Sequence, residues 1–269
     1  MNSDKRKKIT VPGLAEMKSS SQPITMLTAY DASFAFRVDQ VGTDCVLVGD
    51  SLGNVIQGRD STLPVTVEHM IYHVEAVRRG LTTALLIADM PFLSYHDRTT
   101  AMLSAGRLMQ AGAEMVKLEG GAAVVPAVAE LVTQGIPVCG HLGLTPQHVH
   151  QLGGYRVQGR DEALAQVLRE DALALEAAGA GLLVLECVPS ELAADIARSL
   201  TIPVIGIGAG AEVDGQVLVL YDVLGISVGR RPRFVHDFMA DAGSVDAALV
   251  AYVRAVRERS FPGAEHSYR

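Results

Sequence analysis

The sequence predicts a closed (β/α)8 TIM barrel formed as a single domain across residues 1–269. Three observations lead there. Eight short apolar segments recur along the chain, each brief enough to be a buried strand. Stretches of helical spacing separate them, as parallel strands require. Four of the segments stop abruptly on an acid: CVLVGDS at Asp50, ALLIADM at Asp89, EMVKLEG at Glu119 and GLLVLEC at Glu186. An acid at the end of a buried strand is costly unless it has a partner or a task.

Taken in order, residues 1–9 read as a flexible tail, with the basic run Lys5 to Lys8 as a solvated patch. Residues 11–20 read as a short helix closing the barrel bottom. The strand candidates are 24–28, 45–49, 84–88, 115–118, 137–140, 181–185, 203–207 and 217–223. Helices fill the gaps. Val67, Met70, Ile71, Val74 and Val77 follow helical spacing between a Thr66 cap and Gly80. Residues 99–110 and 124–134 fill two more gaps. Leu164, Val167, Leu168 and Leu175 mark another helix, closed by Gly179, and Pro189 opens one running to about Leu200. Ser244 caps a last helix over residues 245–257. A doubly wound open sheet is the rival. It calls for a glycine fingerprint after the first strand, and Thr28-Ala29-Tyr30-Asp31 is not one.

Composition narrows the function. Net charge is -7 and no basic stretch is extended, which disfavours nucleic acid. No apolar run reaches the length of a membrane span and no signal peptide is evident, so a soluble cytoplasmic protein is expected. Cys45, Cys139 and Cys187 lie in apolar runs without a CxxC, as small buried hydrophobes would.

Barrel active sites form at the C-terminal strand ends. Asp50, Asp89 and Glu119 come from three consecutive strands, and three hard oxygen donors suit Mg²⁺ better than zinc. A helix cap or an arginine partner is the plainer role for any one of them. Lys117 lies two residues before Glu119 and shares its face, where it can neutralise a substrate carboxylate or serve its acidic neighbours. Glu186 ends a later strand, apart from the other three, and is the candidate base; a salt-bridged Glu is the alternative. His141 polarises substrate or is a satisfied structural histidine. His69 and His73 lack the Glu of an HExxH motif. The GIGAG loop, Gly206 to Gly210, is either a phosphate cradle or a tight turn.

The motifs MLTAYD, LVGDSLG, DSTLPVTVEHM, ADMPF, MVKLEGG, PVCGHLGLTPQ, GGYRVQGR, LLVLECVP and IPVIGIGAG occur in that order between about residues 24 and 210. As a set they resemble ketopantoate hydroxymethyltransferases, and the ending FPGAEHSY does too. The resemblance implies a barrel similar to phosphoenolpyruvate mutase and isocitrate lyase. It implies transfer of a one-carbon unit from 5,10-methylenetetrahydrofolate to α-ketoisovalerate (3-methyl-2-oxobutanoate) through a Mg²⁺-stabilised enolate. The product is ketopantoate, for pantothenate and coenzyme A. Carried over residue by residue, it implies Asp50, Asp89 and Glu119 as metal ligands and Asp50, Ser51, Asp89 and Lys117 as substrate contacts, to which the strand-end reading adds His141. Glu186 is implied as proton acceptor, and a homodecamer of two pentameric rings as the assembly. A Mg²⁺-dependent carbon–carbon lyase or phosphonomutase is the alternative. Its lyase members carry a catalytic Cys in a KKCGH-like loop, and LEGGAAVV here has none. A non-enzymatic oligomeric barrel is the third reading.

Overall fold

The computed structural model describes residues 6–229 and 231–269. Eight parallel strands close into a barrel in sequence order. They are β1 (Ile24–Thr28), β2 (Cys45–Val48), β3 (Leu85–Asp89), β4 (Met115–Glu119), β5 (Val138–Gly143), β6 (Leu182–Glu186), β7 (Val204–Ile207) and β8 (Gly215–Leu218). Helix α1 (Val11–Ser19) precedes them. The outer helices are α2 (Ala32–Gln40), α3 (Val67–Gly80), α4 (Arg98–Gln110), α5 (Val125–Thr133), α6 (Glu162–Ala177), α7 (Ser190–Ser199) and α8 (Val245–Arg257). Strand residues are buried nearly throughout, because side chains face either the barrel interior or the helix layer.

Local chemistry places the helices. Asp31 caps α2, accepting from Ser33 and Phe34 N–H. Thr66 caps α3 in a reciprocal box, with His69 Nδ1 accepting from the Thr66 N–H. Ser244 accepts from the Ala247 N–H at the start of α8. That helix seals the barrel seam: the fully buried Tyr252 donates its one hydroxyl proton between the carbonyls of Met26 in β1 (2.8 Å) and Gln216 in β8 (2.9 Å). Helix α1 lies across the bottom. Its Lys18 donates to the Ala197 and Ile202 carbonyls and pairs with Asp214, just before β8.

Three expectations need correction. The tail does not extend to residue 9: Arg6 pairs with Asp44 at 2.6 Å, Lys8 with Glu114 at 2.6 Å, and the Ile9 N–H donates to the Thr83 carbonyl. Residues 1–5 lie outside the described residues. The eighth strand ends at Leu218, and Leu220–Val223 is a helical turn whose first N–H donates to Thr28 Oγ1. A short apolar run does not by itself distinguish the two. On α6, Leu164 and Val167 face outward, whereas the small Ala165 and Ala172 pack inward with Leu168 and Leu175. Among the described residues no helix is long and apolar enough to cross a membrane, and all three cysteines are buried and free.

Candidate active site

Strand register gathers the acids. In β3 and β4, Asp89 stands opposite Lys117; in β4 and β5, Glu119 stands opposite His141. Paired residues of parallel strands share a face, so all four side chains enter the barrel mouth together. Asp50 lies two residues past β2, and its N–H donates to Asp89 Oδ2 at 3.0 Å. Glu186 ends β6 opposite Gly143. Gly143 has φ +90°, and a Cβ there would lie 2.2 Å from the Glu186 carbonyl oxygen, so only glycine lets the strand ends meet this way.

The cluster is dense and almost dry. Asp50, Asp89, Lys117, Glu119 and His141 are buried, and Glu186 is the more open at 15% side-chain exposure. Lys117 Nζ sits 2.9 Å from Asp89 Oδ1 and 3.2 Å from His141 Nδ1. That same nitrogen is 3.2 Å from Glu119 Oε1. A charged ring suits Glu119 and a neutral one suits Lys117. Glu186 Oε2 lies 3.3 Å from His141 Nε2, close enough to attract a charged ring but not aligned as a hydrogen bond. Ser51, beside Asp50, shares a 2.9 Å hydrogen bond with the Tyr30 hydroxyl.

Charge is out of balance here. Burial, and then Asp89 and Glu119, push the Asp50 carboxyl up to about 8. Burial also raises Asp89, although Lys117 offsets part of it. Burial alone would raise Glu119, but His141, Lys117 and the Gln147 N–H hold it below the usual range. For Lys117, burial pulls downward and the three acids more than offset it, so the ammonium keeps its proton. Burial and Lys117 pull His141 down; Glu119 and Glu186 outweigh them and lift it to about 8.

These residues suit a divalent cation. Four carboxyl groups face two cationic side chains, and with all four ionised the deficit of two charges is the one a divalent ion matches. Asp89 Oδ1 is buried with the Lys117 ion pair as its one polar partner, and only the Oδ2 oxygen of Asp50 accepts a hydrogen bond. Both oxygens of Glu119 are engaged, by His141 and by the Gln147 N–H. Among the described residues, no three His, Cys, Asp or Glu side chains are drawn together as a ready-made centre. One open Asp50 oxygen and an Asp89 oxygen held only by Lys117, together with waters, fit Mg²⁺, which sheds water reluctantly.

Above the cluster lies a cavity of about 1090 Å³. Its floor holds the acids, and its lining includes Arg59, Arg156, Arg231 and Arg233. Tyr268, near the chain end, also lines it, and its carbonyl accepts from the Ser190 N–H at the start of α7. The GIGAG loop is therefore a turn rather than a phosphate cradle. Gly208, at φ +63°, packs beneath Phe234 and Tyr268, and the neighbouring helix N-terminus is occupied by that carbonyl. Sequence reasoning passed over Tyr268, Tyr95 and Gln147. The last is a neutral loop residue with no periodic signal, yet it bonds to Asp50, Glu119 and Tyr95.

The model of the ketopantoate hydroxymethyltransferase family matches residues 8–264. The chain belongs to this family. It is 58% identical over 264 residues to the 3-methyl-2-oxobutanoate hydroxymethyltransferase of Azoarcus sp. (strain BH72), covering 97% of each chain. Among solved structures it resembles a 2,3-dimethylmalate lyase of the PEP mutase/isocitrate lyase superfamily, with TM-score 0.54, 16% identity and coverage of 77% of this chain and 80% of that one. It also resembles phosphonopyruvate hydrolase in complex with oxalate and Mg²⁺, with TM-score 0.59, 13% identity and coverage of 96% and 93%. At those identities the likeness is one of fold, and it agrees with the predicted barrel.

Proposed function

We propose that this chain transfers a hydroxymethyl group from 5,10-methylenetetrahydrofolate to 3-methyl-2-oxobutanoate, giving ketopantoate in pantothenate biosynthesis. The site on the barrel mouth carries the chemistry. The observation behind this reading is the strand-end set of buried acids with one lysine and one histidine, in a chain of this family. Asp50, Asp89 and Glu119 would hold Mg²⁺, and Glu119 also fixes His141. When bound, the cation supplies the Lewis acidity that makes the C3–H of a 2-oxoacid removable.

Glu186 takes that proton, as the more open carboxylate and the one set apart from the ion's side. His141, 3.3 Å away, steadies its charge. Lys117 and Ser51 hold the substrate carboxylate and keto oxygen. The enolate carbon then bonds to the folate methylene carbon. Over the whole reaction the C3–H bond and both N–CH₂ bonds break. Water supplies the new hydroxyl, and the two folate nitrogens regain protons. The cavity is far larger than the ketoacid needs. We assign its outer part to the folate, with the glutamate carboxylates toward Arg59, Arg156, Arg231 and Arg233. A cytoplasmic location and a homodecamer of two pentameric rings complete the proposal.

The deciding assay follows ketopantoate formation with each of methylenetetrahydrofolate and Mg²⁺ withheld in turn. Turnover that needs both supports the proposal. Folate-independent cleavage of a 2-methylisocitrate-type substrate would assign the lyase reading instead.

A further inference from the structure

Gln147 is only 3% exposed and sits in the short 3-10 turn Pro146–His148 after β5, above the acid cluster. Its side chain is almost fully used. Nε2 donates to Asp50 Oδ2 at 2.9 Å and to the Met90 carbonyl at 3.0 Å. The Met90 carbonyl can only accept, so the amide has one permitted orientation. Its oxygen then faces the Tyr95 hydroxyl, which donates at 2.5 Å. That hydroxyl in turn accepts from the Glu119 N–H at 3.3 Å. The Gln147 N–H donates to Glu119 Oε2 at 3.0 Å. One residue thus touches the carboxylates of two strands through two different groups.

We propose that Gln147 is a positioning residue for the cation site, with Tyr95 as its support. It occupies one oxygen of Asp50 and so leaves the other to point at the ion. It also fixes Glu119 from the opposite side through its main chain. The role calls for a neutral amide. A carboxylate at this position would set an acceptor against Asp50 and the Met90 carbonyl, and a shorter amide would not span the gap. The residue acts on the ligands rather than on substrate. This inference rests on the cation site of the proposed function.

Outer partners of metal ligands hold affinity worth about 10–100-fold. The test is Mg²⁺ titration calorimetry on the wild-type protein, Gln147→Leu and Tyr95→Phe, without substrate. Near-ultraviolet circular dichroism checks that each is folded. Gln147→Leu should raise the Mg²⁺ dissociation constant by about 10–100-fold, and Tyr95→Phe by less in the same direction. Exchange of the 3-methyl-2-oxobutanoate C3 proton with D₂O should be weak in Gln147→Leu at low Mg²⁺ and should recover when Mg²⁺ is raised. A folded Gln147→Leu with wild-type Mg²⁺ affinity and only a lower melting temperature would make the residue a plain cross-link and overturn the proposal. If Gln147→Leu does not fold, unchanged affinity in Tyr95→Phe overturns it equally. Absence of Mg²⁺ binding in the wild type would remove the cation site itself, a different failure.

Discussion

The two ends of the barrel treat their acids in opposite ways. At the bottom, each buried or half-buried carboxylate is surrounded by donors. Asp39 accepts from the N–H groups of Thr82, Thr83 and Ala84 and from both threonine hydroxyls. Asp44 pairs with Arg6 and Arg257 and accepts from Thr25. Glu114 pairs with Lys8 and Arg78, and Asp214 with Lys18. At the top, Asp50, Asp89, Glu119 and Glu186 share Lys117 and His141, and Asp89 Oδ1 has the Lys117 ion pair alone. Burial would raise Asp39, but its donors hold it below the usual range; burial and like charges carry Asp50 up to about 8. The same residue type serves cohesion at one end and, in the proposed function, ligand capture at the other, as barrels commonly divide the work.

The largest effect expected from breaking this contrast is at Glu186. Glu186→Gln should slow C3-proton exchange in D₂O by on the order of 10²–10⁴-fold, with melting close to wild type. Undiminished exchange would remove Glu186 as the base. Asp44→Ala attacks the other end, stranding Arg257 and Arg6. Because both guanidiniums are partly exposed, the cost should be about 3 kcal/mol, the low end for a broken buried pair. Urea unfolding reads it, and activity per folded molecule should hold.

Asp39 sharpens the comparison through pH. Its folded pKa lies below the ordinary 3.8. Its contribution is therefore complete above that value and is lost as pH falls through the folded pKa. The melting gap between wild type and Asp39→Asn should be full at about pH 6, begin to shrink near about pH 4 and narrow further as pH falls through the folded pKa. A gap that persists in acid would contradict the assignment. The smallest effect belongs to the rim. Arg156→Gln should raise KM for methylenetetrahydrofolate a few-fold on the order of an exposed charge contact, more at low salt than at high, and leave C3 exchange unchanged. An equal rise in KM for the ketoacid would place Arg156 elsewhere.

The barrel was legible because eight apolar runs are separated for the most part by stretches of helical spacing, and the floor of the site because four of the runs stop on acids. What escaped notice follows from physics that leaves no pattern. Gln147 and Tyr95 are loop residues whose task appears only when their partners meet in space. Arg6 and Lys8 read as a solvated run because their acids, Asp44 and Glu114, lie far along the chain. Tyr268 reaches the cavity only because the C-terminal segment folds back onto Ser190. Asp31 shows the reverse case: a strand-end acid that is only a helix cap.

In the proposed function the upper acids are arranged for a cation at a cost to the stability of the metal-free protein. Thermal melting of wild type and Asp50→Asn, each with and without Mg²⁺, tests it most directly. Relieving the like charges should let Asp50→Asn melt at or above the wild type without metal. Mg²⁺ should raise the wild-type midpoint by mass action and leave the variant's where it was. A variant that melts well below wild type without metal, or that Mg²⁺ stabilises as much as wild type, would contradict the account.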